Sequence, residues 1–437
     1  MKRVYVTFLG CKVNQYEAEY MIEKLEQNGF VISPHPSKAD LCVLNTCMVT
    51  SEASRKSRQM LRRLRKLNPE ALIIATGCYA HLQQQDLLKI GADLVLGNDE
   101  KKDLIDHIKR YLRKEEMKSV NVSESVRGVE EKVQSFLSDR TRAYIKVEDG
   151  CNEFCSYCIV PFARGYRIRS KVIGTILNEA RTLLDNGYKE IVLTGINLGK
   201  YGFDQKTSLA ILLKSMLEEL SGDFRIRLSS LNVQDIDDEL IEIFSQSDRI
   251  CPHLHIPMQS GSNNILSRMN RKYTIEDAYK IFDRLREINS DFSITTDIIV
   301  GFPGETIGDF KQTIDMISKV EFSRVHIFRY SSRPGTPASR FDLQIPSDEK
   351  ERRSKELSKI VEEVSKIYRE KSIGKLRKVL VEQTRSGISS GYDEYYVKHE
   401  FTGGCIGNFE MVVPKRVNGV GMVSALVNLE GSMAKEA

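Results

Sequence analysis

Three cysteines stand close together at residues 149–158, where the sequence reads DGCNEFCSYC. The spacing CxxxCxxC brings the thiols of Cys151, Cys155 and Cys158 into one short loop, and Tyr157 directly precedes the last of them. A cubane iron–sulfur cluster is normally held by four thiolates, so three thiolates leave one iron open. The loop therefore predicts a cluster whose open iron can be chelated by a small molecule.

A structural zinc site is the alternative, because thiolates also bind zinc well. Such a site usually takes a fourth Cys or His at short range. No histidine occurs between Cys158 and His253, and no fourth cysteine follows in the loop. The number of ligands favours the cluster.

Cys11, Cys47 and Cys78 form a second set of thiols, far apart in sequence. Each follows a predicted strand, and helices lie between the strands, the first of them capped by Asn14. Such alternation predicts an open α/β domain with a mostly parallel sheet, whose carboxyl edge is where ligands bind. We expect the three thiols to meet there, although a single buried core cysteine is common. The predicted strands of this domain, residues 1–115, are 3–10, 41–47, 71–77 and 94–96.

After the cysteine loop, strands and helices alternate again up to residue 370. Six parallel strands with outer helices predict an incomplete (β/α)6 barrel, with functional residues at the carboxyl ends of the strands. The predicted strands are 142–147, 190–193, 225–228, 253–256, 293–300 and 324–329. The candidate cofactor contacts are Tyr157, Gly195, Asn197, Ser229 and Gly301.

The remaining segments are a polar linker at 116–139, a charged helix at 347–368 and a C-terminal domain at 371–437. In the C-terminal domain, short alternating segments separated by glycines predict a small all-β barrel. Its aromatic side chains could stack on RNA bases, although a barrel that only packs as a lid remains an alternative. The predicted strands are 378–382, 394–399 and 419–429, and the aromatic residues are Tyr392, Tyr395, Tyr396, Phe401 and Phe409.

Basic residues cluster in two places although the net charge is only +5. The helix after Cys47 carries Arg55, Arg58 and Arg62 with a single nearby acid, a pattern that favours contact with phosphates. A second group directly follows the cysteine loop. Ordinary surface salt bridges are the alternative for each arginine. The second group consists of Arg164, Arg167 and Arg169.

Composition places the chain among ordinary globular proteins, with 437 residues, 41% hydrophobic residues and 29% charged residues. No run of eighteen apolar residues occurs, so we expect no membrane span. Nine cysteines without a secretion signal predict a reducing, cytoplasmic location and the use of thiols in metal binding or catalysis.

Several motifs together resemble the radical S-adenosylmethionine (SAM) methylthiotransferases over essentially the whole chain. The family combines a methylthiotransferase domain, a radical SAM core and an RNA-binding TRAM barrel. Two positions depart from its patterns: TGIN at 194–197 lacks the acid of a Gly-Gly-Glu motif, and Asn232-Val233 replaces an acid and a proline. The matching motifs are GCKVNQYE at 10–17, NTC at 45–47, GC at 77–78, CNEFCSYC at 151–158, LHIPMQSGS at 254–262, TDIIVGFPGET at 296–306 and RPGTP at 333–337.

This resemblance implies a tRNA-modifying sulfur-group transferase that uses SAM and two 4Fe-4S clusters, one on each cysteine set. GCKVNQYE resembles the subgroup that methylthiolates carbon 2 of N6-threonylcarbamoyladenosine at position 37, beside the anticodon. That carbon has no acidic proton, so a radical route, a low-potential electron donor and a sulfur donor are expected. The alternatives are isopentenyladenosine-37 or a ribosomal protein aspartate as substrate, or a zinc-containing RNA-binding module without catalysis.

Overall fold

The structure, a computed structural model, describes residues 2–114, 128–135 and 141–427. Its N-terminal domain is an open α/β unit in which five parallel strands lie in the order β2-β1-β3-β4-β5. The strands are β1 (Arg3–Phe8), β2 (Val31–Ile32), β3 (Leu41–Thr46), β4 (Leu72–Gly77) and β5 (Leu94–Val95). The helices are α1 (Lys12–Gln27), α2 (Ser51–Leu67), α3 (Cys78–Leu82), α4 (Gln84–Ile90) and α5 (Leu104–Leu112), with 3-10 turns at Pro36–Lys38 and Glu100–Asp103.

Helix α1 begins earlier than predicted. Its N-cap residue is Cys11, which makes no side-chain capping bond, and Asn14 lies inside the helix rather than at its cap. The buried Asn14 amide donates instead to the carbonyls of Leu9, at 2.7 Å, and Thr46, at 3.1 Å. Asn14 thus ties α1 to the carboxyl ends of β1 and β3, where Cys11 and Cys47 follow.

The middle of the chain forms the predicted incomplete barrel. Two three-stranded parallel sheets, β10-β9-β6 and β11-β12-β13, are joined by parallel bridges from Ile226 to Ile250 and from Ser230 to His255. The strands are β6 (Arg142–Lys146), β7 (Glu148–Asp149), β8 (Arg169–Ser170), β9 (Glu190–Thr194), β10 (Arg225–Leu228), β11 (His253–His255), β12 (Ser293–Val300) and β13 (Arg324–Arg329). The helices are α6 (Val160–Arg164), α7 (Ile173–Asp185), α8 (Leu209–Glu219), α9 (Asp238–Gln246), α10 (Asn263–Arg268), α11 (Ile275–Ile288), α12 (Ile307–Val320) and α13 (Ser347–Glu370), with 3-10 turns at Leu198–Lys200, Val233–Asp235 and Pro337–Arg340.

Side chains alternate along these strands, because successive residues of a strand point to opposite faces. On one face, apolar residues such as Ile145 and Ile191 are fully buried in the main core. On the other face stand buried charges, among them Glu190, which accepts hydrogen bonds from Arg225 at 2.6 Å and from Arg227 at 2.8 Å. The barrel interior is therefore polar rather than filled by aliphatic side chains.

The C-terminal domain is a small closed β-barrel, as predicted. Its five strands lie in the order β14-β15-β16-β18-β17. Its strands differ from the prediction, because 393–397 form a turn and two strands were missed. Gly391 lies within one of them: a Cβ there would lie 1.8 Å from Leu380 O, so glycine serves close strand packing rather than a turn. The strands are β14 (Arg377–Arg385), β15 (Ile388–Tyr392), β16 (Lys398–Thr402), β17 (Phe409–Asn418) and β18 (Gly421–Leu426); residues 428 and 429 of the predicted last strand lie outside the described residues.

Part of the predicted linker packs as a strap between the first two domains. Val133 is fully buried in the main core together with Tyr16 of α1. The Tyr16 hydroxyl donates to Glu131 O at 2.6 Å, and Lys171 Nζ donates to the same carbonyl at 2.5 Å. Residues 128–135 therefore bind both domains, while 116–127 and 136–139 of the predicted linker lie outside the described residues.

The C-terminal barrel docks on the core through the aromatic residues that we expected to stack on RNA. The Tyr396 ring lies 4.9 Å from the Arg227 guanidinium and 4.9 Å from the His253 ring, and it stacks on Tyr392 at 4.8 Å. Arg225 covers Phe409 at 5.0 Å. These rings pack against groups of the core and of the barrel itself, and their stacking on bases stays a prediction.

None of the helices in the described ranges combines the length and the hydrophobicity that crossing a bilayer requires.

Replacing Tyr396 with Ala is expected to lower the free energy of unfolding by about 2 kcal/mol, because the ring contacts two arginines and two other rings. Guanidinium denaturation followed by circular dichroism measures the loss. The matched control is Val420→Ala in the same barrel, since Val420 is 74% exposed. An equal denaturation midpoint for Tyr396→Ala and the unchanged protein would contradict this account of docking.

Candidate active site

The structure brings Cys11, Cys47 and Cys78 together at the carboxyl ends of β1, β3 and β4, which are adjacent strands. Gly10 has a φ of +101°, and a Cβ there would lie 2.7 Å from Cys47 Sγ, so this approach requires glycine. Burial raises the pKa of Cys47 to about 12, and the nearby Cys78 thiol adds to the shift. The Cys11 side chain is accessible to solvent, yet the protein around it also raises its thiol pKa.

Backbone and hydroxyl groups fix this N-terminal cysteine set. Ser57 Oγ on α2 accepts from Cys47 N at 3.1 Å and donates to Cys47 O at 2.8 Å. Thr46 Oγ1 donates to Thr76 O at 2.6 Å and accepts from the amide of Ala80 at 3.1 Å, which joins the chain beside Cys47 to the chain beside Cys78. The NTC motif therefore positions its cysteine through the neighbouring strand.

The cysteine loop, residues 149–158, is held to the core by backbone bonds. Cys151 N donates to Gly165 O at 3.1 Å, Cys158 N donates to Cys155 O at 2.9 Å, and Ser156 N donates to Met269 O at 3.0 Å. Burial raises the pKa of Cys158 to about 12, helped by the Cys155 thiol and, more weakly, by Cys78. Arg164, in the helix that directly follows the loop, donates to Cys78 Sγ at 3.2 Å, so the two cysteine sets are linked across the boundary between the domains.

The donors of both sets suit a cluster better than a single ion. In an iron–sulfur cluster the thiolates bind different irons, so thiols can be more widely spaced. Each set is also purely thiol, without the nearby fourth ligand that structural zinc prefers.

A patch of unpaired polar atoms lies at the carboxyl ends of β9 and β10. Asn197 Nδ2 and Ser229 Oγ are buried without hydrogen-bond partners in the described chain, as is Glu148 Oε1. Glu148 Oε2 accepts from Asn197 N at 2.7 Å, and a Cβ on Gly195 would lie 2.6 Å from the same oxygen. Buried polar atoms are normally paired, so this patch fits a polar ligand.

Glu148 was missed by the sequence analysis although it supplies a carboxylate beside Gly195. Burial raises the pKa of Glu148 well above its usual range. The available signal was the alternation of Lys146 and Glu148 with apolar residues in a buried strand. The TGIN segment lacks the acid of the Gly-Gly-Glu motif, but Glu148, from another strand, places a carboxylate beside it.

Two other predicted cofactor contacts have different surroundings. Tyr157 packs edge-on against Phe302, with 6.3 Å between the ring centroids. Gly301 N already donates to Glu305 Oε2 at 2.7 Å, and its missing Cβ would meet the side chain of Lys350. The Gly301 amide is therefore already paired within the chain, and a cofactor contact by its loop stays a prediction.

The three arginines after the cysteine loop separate into two kinds. Arg164 is fully buried, and its Nε donates to Cys78 Sγ at 3.2 Å. Arg169 is also buried, and it donates to Arg164 O at 3.0 Å. Neither can meet an RNA phosphate, so those two expectations are wrong because charged partners inside the protein bury both side chains. Arg167 is exposed.

Helix α2 presents its predicted basic face to solvent. Arg55 and Arg62 are exposed, and Arg58 is half-buried with its Nη1 donating to the Tyr79 hydroxyl at 2.9 Å. Arg55 pairs with Glu52 on the same exposed face. The buried face of the helix is made by Ser54, Ser57, Leu61 and Leu64.

A buried ionic network joins the N-terminal domain to the core at this site. Glu17 of α1 is fully enclosed by Arg164, Lys101 and Lys146. Lys146 Nζ also lies 2.7 Å from Asp149 Oδ2, at the start of the cysteine loop. Although burial opposes it, these cations hold the pKa of Glu17 well below its usual range.

Replacing Glu17 with Gln is expected to lower the free energy of unfolding by about 3–5 kcal/mol at neutral pH, since buried cations lose their partner. Because the folded pKa is depressed, this contribution is complete above the ordinary value of 4.5 and lost as the pH falls toward the folded pKa. Unfolding free energies between pH 3 and 7 for both proteins measure the effect. Glu52→Gln, on the exposed face of α2, is the control with little change, and a constant difference across this range would contradict the network's role.

Comparison with known proteins agrees with this architecture. Residues 3–97 match the model described as uncharacterized protein family UPF0004, and residues 145–317 match the radical SAM superfamily. Among solved structures, the radical SAM methyltransferase TsrM of Kitasatospora setae has a TM-score of 0.59 at 14% identity, with 78% of this chain and 74% of that chain covered. That likeness concerns the fold alone.

Three curated relatives extend over nearly the whole chain. Threonylcarbamoyladenosine tRNA methylthiotransferase MtaB of Thermotoga maritima is 50% identical over 98% of both chains. Its namesake from Bacillus subtilis is 38% identical over 90% of this chain and 89% of that protein. The tRNA-2-methylthio-N(6)-dimethylallyladenosine synthase of Thermodesulfovibrio yellowstonii is 34% identical over 89% of this chain and 90% of the other. The chain therefore belongs to the radical SAM methylthiotransferase family.

Proposed function

We propose that this enzyme adds a methylthio group to carbon 2 of N6-threonylcarbamoyladenosine at position 37 of tRNA. The observation that carries the proposal is the link between the two three-thiol sets across a domain boundary: Arg164 donates to Cys78 Sγ at 3.2 Å, and the neighbouring Gly165 carbonyl accepts from Cys151 N at 3.1 Å. Two relatives named for this substrate cover 98% and 90% of this chain. We assign residues 1–115 to the methylthiotransferase domain, 140–370 to the radical SAM core and 371–437 to a TRAM-like barrel.

Each set of thiols would hold one 4Fe-4S cluster, with SAM bound at the open iron of the cluster on the cysteine loop. When bound, these groups supply the one-electron and sulfur-transfer chemistry that an aromatic carbon without an acidic proton requires. The unpaired atoms of Glu148, Asn197 and Ser229 would bind polar groups of SAM. An external low-potential electron donor and a sulfur donor are part of this proposal.

The chain itself would fix the positions of the two sets. Ser57 holds the backbone of Cys47, and Gly165 holds the backbone of Cys151. The Glu17 network locks the two domains in register, so the distance between the sets is set before substrate binds. Because the two sets are already fixed, binding of the substrate would place its reacting carbon in the geometry that the reaction needs.

The substrate adenine must leave the anticodon-loop stack to enter such an interior. A cavity of about 580 Å³ lies at the open edge of the barrel, between β13, α13 and the C-terminal barrel. Arg324, His326 and Tyr396 are among its lining residues, and its size suits a nucleoside. The exposed Arg55, Arg62 and Arg167, with the half-buried Arg58, would contact phosphates outside.

Lys12 supports a substrate that carries a carboxylate. It follows Cys11, is partly accessible, and makes no hydrogen bond or ion pair with any part of the chain that the structure describes. Burial lowers the pKa of Lys12, although the neighbouring Tyr396 opposes the shift. A threonylcarbamoyl group offers a carboxylate to this ammonium, whereas a dimethylallyl group is uncharged.

Nucleoside mass spectrometry tests the reaction. Anaerobic protein reconstituted with both clusters is incubated with SAM, a low-potential reductant and tRNA that carries threonylcarbamoyladenosine. We expect a nucleoside heavier by one methylthio group. Cleavage of SAM with an unchanged nucleoside would refute the proposed substrate. Methylthiolation of isopentenyladenosine tRNA or of a ribosomal protein would identify that molecule as the substrate instead. Colourless protein containing zinc would refute the reaction.

Replacing Lys12 with Gln is expected to reduce kcat/KM for this tRNA by about 10- to 100-fold, because a hydrogen bond between charged groups is lost. Steady-state methylthiolation measures the change, with Lys12→Arg retaining part of the activity. Arg62→Gln is the control, since it removes one positive charge from the exposed face of α2, which is proposed to contact phosphates only. Equal losses in Lys12→Gln and Arg62→Gln would indicate general attraction of RNA instead of carboxylate binding.

A further inference from the structure

Two arginines of the core domain reach the N-terminal cysteine set. Arg164 lies in α6, and its Nε donates to Cys78 Sγ at 3.2 Å. Arg333 follows β13 in the RPGTP motif, and its Nη1 donates to Ser54 Oγ on α2 at 3.3 Å. Ser54 and Ser57 share the buried face of α2, and Ser57 holds the backbone of Cys47. Arg164 therefore contacts a cysteine of the set directly, whereas Arg333 binds the face of α2 that holds another, Cys47.

The Arg333 guanidinium lacks a compensating charge within the described chain. The residue is only 8% exposed, and its Nε and Nη2 are buried without hydrogen-bond partners. An unpaired buried cation is costly, so the site requires a negative partner. Arg333 binds the buried face of α2 through Ser54, and Ser57 on the same face holds Cys47, so the cysteine set is the nearest group on that face that can become an anion. The anion that Arg333 faces is thus the cysteine set, once its thiols are deprotonated by metal binding.

Arg164 is anchored well enough to keep its sulfur contact. Its other nitrogens bind the carboxylate of Glu17 and the side-chain oxygen of Asn14, and its Nη1 lies 3.5 Å from Asp149 Oδ2. Glu17 and Asn14 belong to the N-terminal domain, and Asp149 begins the cysteine loop. The guanidinium therefore has a fixed orientation toward Cys78.

We infer that Arg164 and Arg333 are positioning residues of the core domain that complete the N-terminal cluster site and set the reduction potential of its cluster. The inference rests on the proposed function, because it takes a cluster on Cys11, Cys47 and Cys78. Hydrogen bonds to sulfur and the local net charge both tune such potentials. A nearby positive charge favours the reduced, more negative form, so removal of either arginine lowers the potential.

A third arginine provides an internal comparison at the other set. Arg271 Nη1 donates to Cys155 Sγ at 3.4 Å, and its Nη2 donates to Asn232 Oδ1 at 2.8 Å and Pro257 O at 3.1 Å. This guanidinium serves the cysteine loop. Each cysteine set thus has its own arginine–sulfur contact. We expect each arginine to change the reduction potential of the cluster on its own set.

The test is a redox titration followed by electron paramagnetic resonance on the full-length chain. A parent with Cys151→Ala, Cys155→Ala and Cys158→Ala keeps only the N-terminal set, and Arg333→Met, Arg333→Lys, Arg164→Lys and Arg271→Met are added singly. Arg333→Met is expected to shift the reduction equilibrium at least tenfold toward the oxidised form, about 59 mV for one electron. Arg333→Lys and Arg164→Lys shift it less, and Arg271→Met leaves it unchanged.

The outcomes separate the inference from the proposed function. An unchanged potential in Arg333→Met, with iron and sulfide content retained, overturns the inference alone. Loss of iron from Arg333→Met but not from Arg333→Lys, with unchanged circular dichroism, supports the role of the charge; loss from both overturns it. A parent that binds no iron overturns the proposed function together with the inference.

Discussion

The enclosure of the Glu17 carboxylate by three cations is the interaction on which the rest of the structure depends. Glu17 belongs to the N-terminal domain, whereas Arg164 and Lys146 belong to the core, so the network crosses the boundary between them. A buried ion pair adds little net stability but imposes one geometry, because any other register leaves a charge unpaired. The two cysteine sets face one another because this register is fixed.

The need to pair buried charges also explains why the barrel interior is polar. A closed barrel fills its centre with branched aliphatic side chains, whereas this one holds Glu190, Arg225 and Arg227 in a hydrogen-bonded group. Arg225 and Arg227 also donate to backbone carbonyls of the C-terminal barrel, at Lys378, Tyr392, Asp393 and Glu394. The incomplete barrel is thus closed at this end by hydrogen bonds to another domain.

The sequence was sufficient wherever local rules decide the structure. Cys11, Cys47 and Cys78 could be placed at one sheet edge because parallel strands and the residues after them follow from periodicity. The positions of Arg164 and Arg169 could not be predicted, since an arginine's burial depends on distant partners such as Glu17 and Asp149. The strand that contains Gly391 was missed for a related reason: a glycine that permits close strand packing looks the same in sequence as one that makes a turn. Residues 128–135 showed no periodicity, yet Val133 packs in the core because Tyr16 and Lys171 bind the neighbouring Glu131 carbonyl.

The docking of Tyr396 limits how this protein can be rearranged during evolution. The C-terminal barrel of a modular enzyme can be exchanged for another when a flexible tether is its only attachment. Here the barrel supplies Tyr396, whose backbone has a φ of +65° and whose ring packs against Arg142, Arg227 and His253 of the core. A foreign barrel would leave these buried charges of the core exposed. The barrel and the core strands are therefore expected to be inherited as one unit, with a substitution on one side of the contact matched by a substitution on the other.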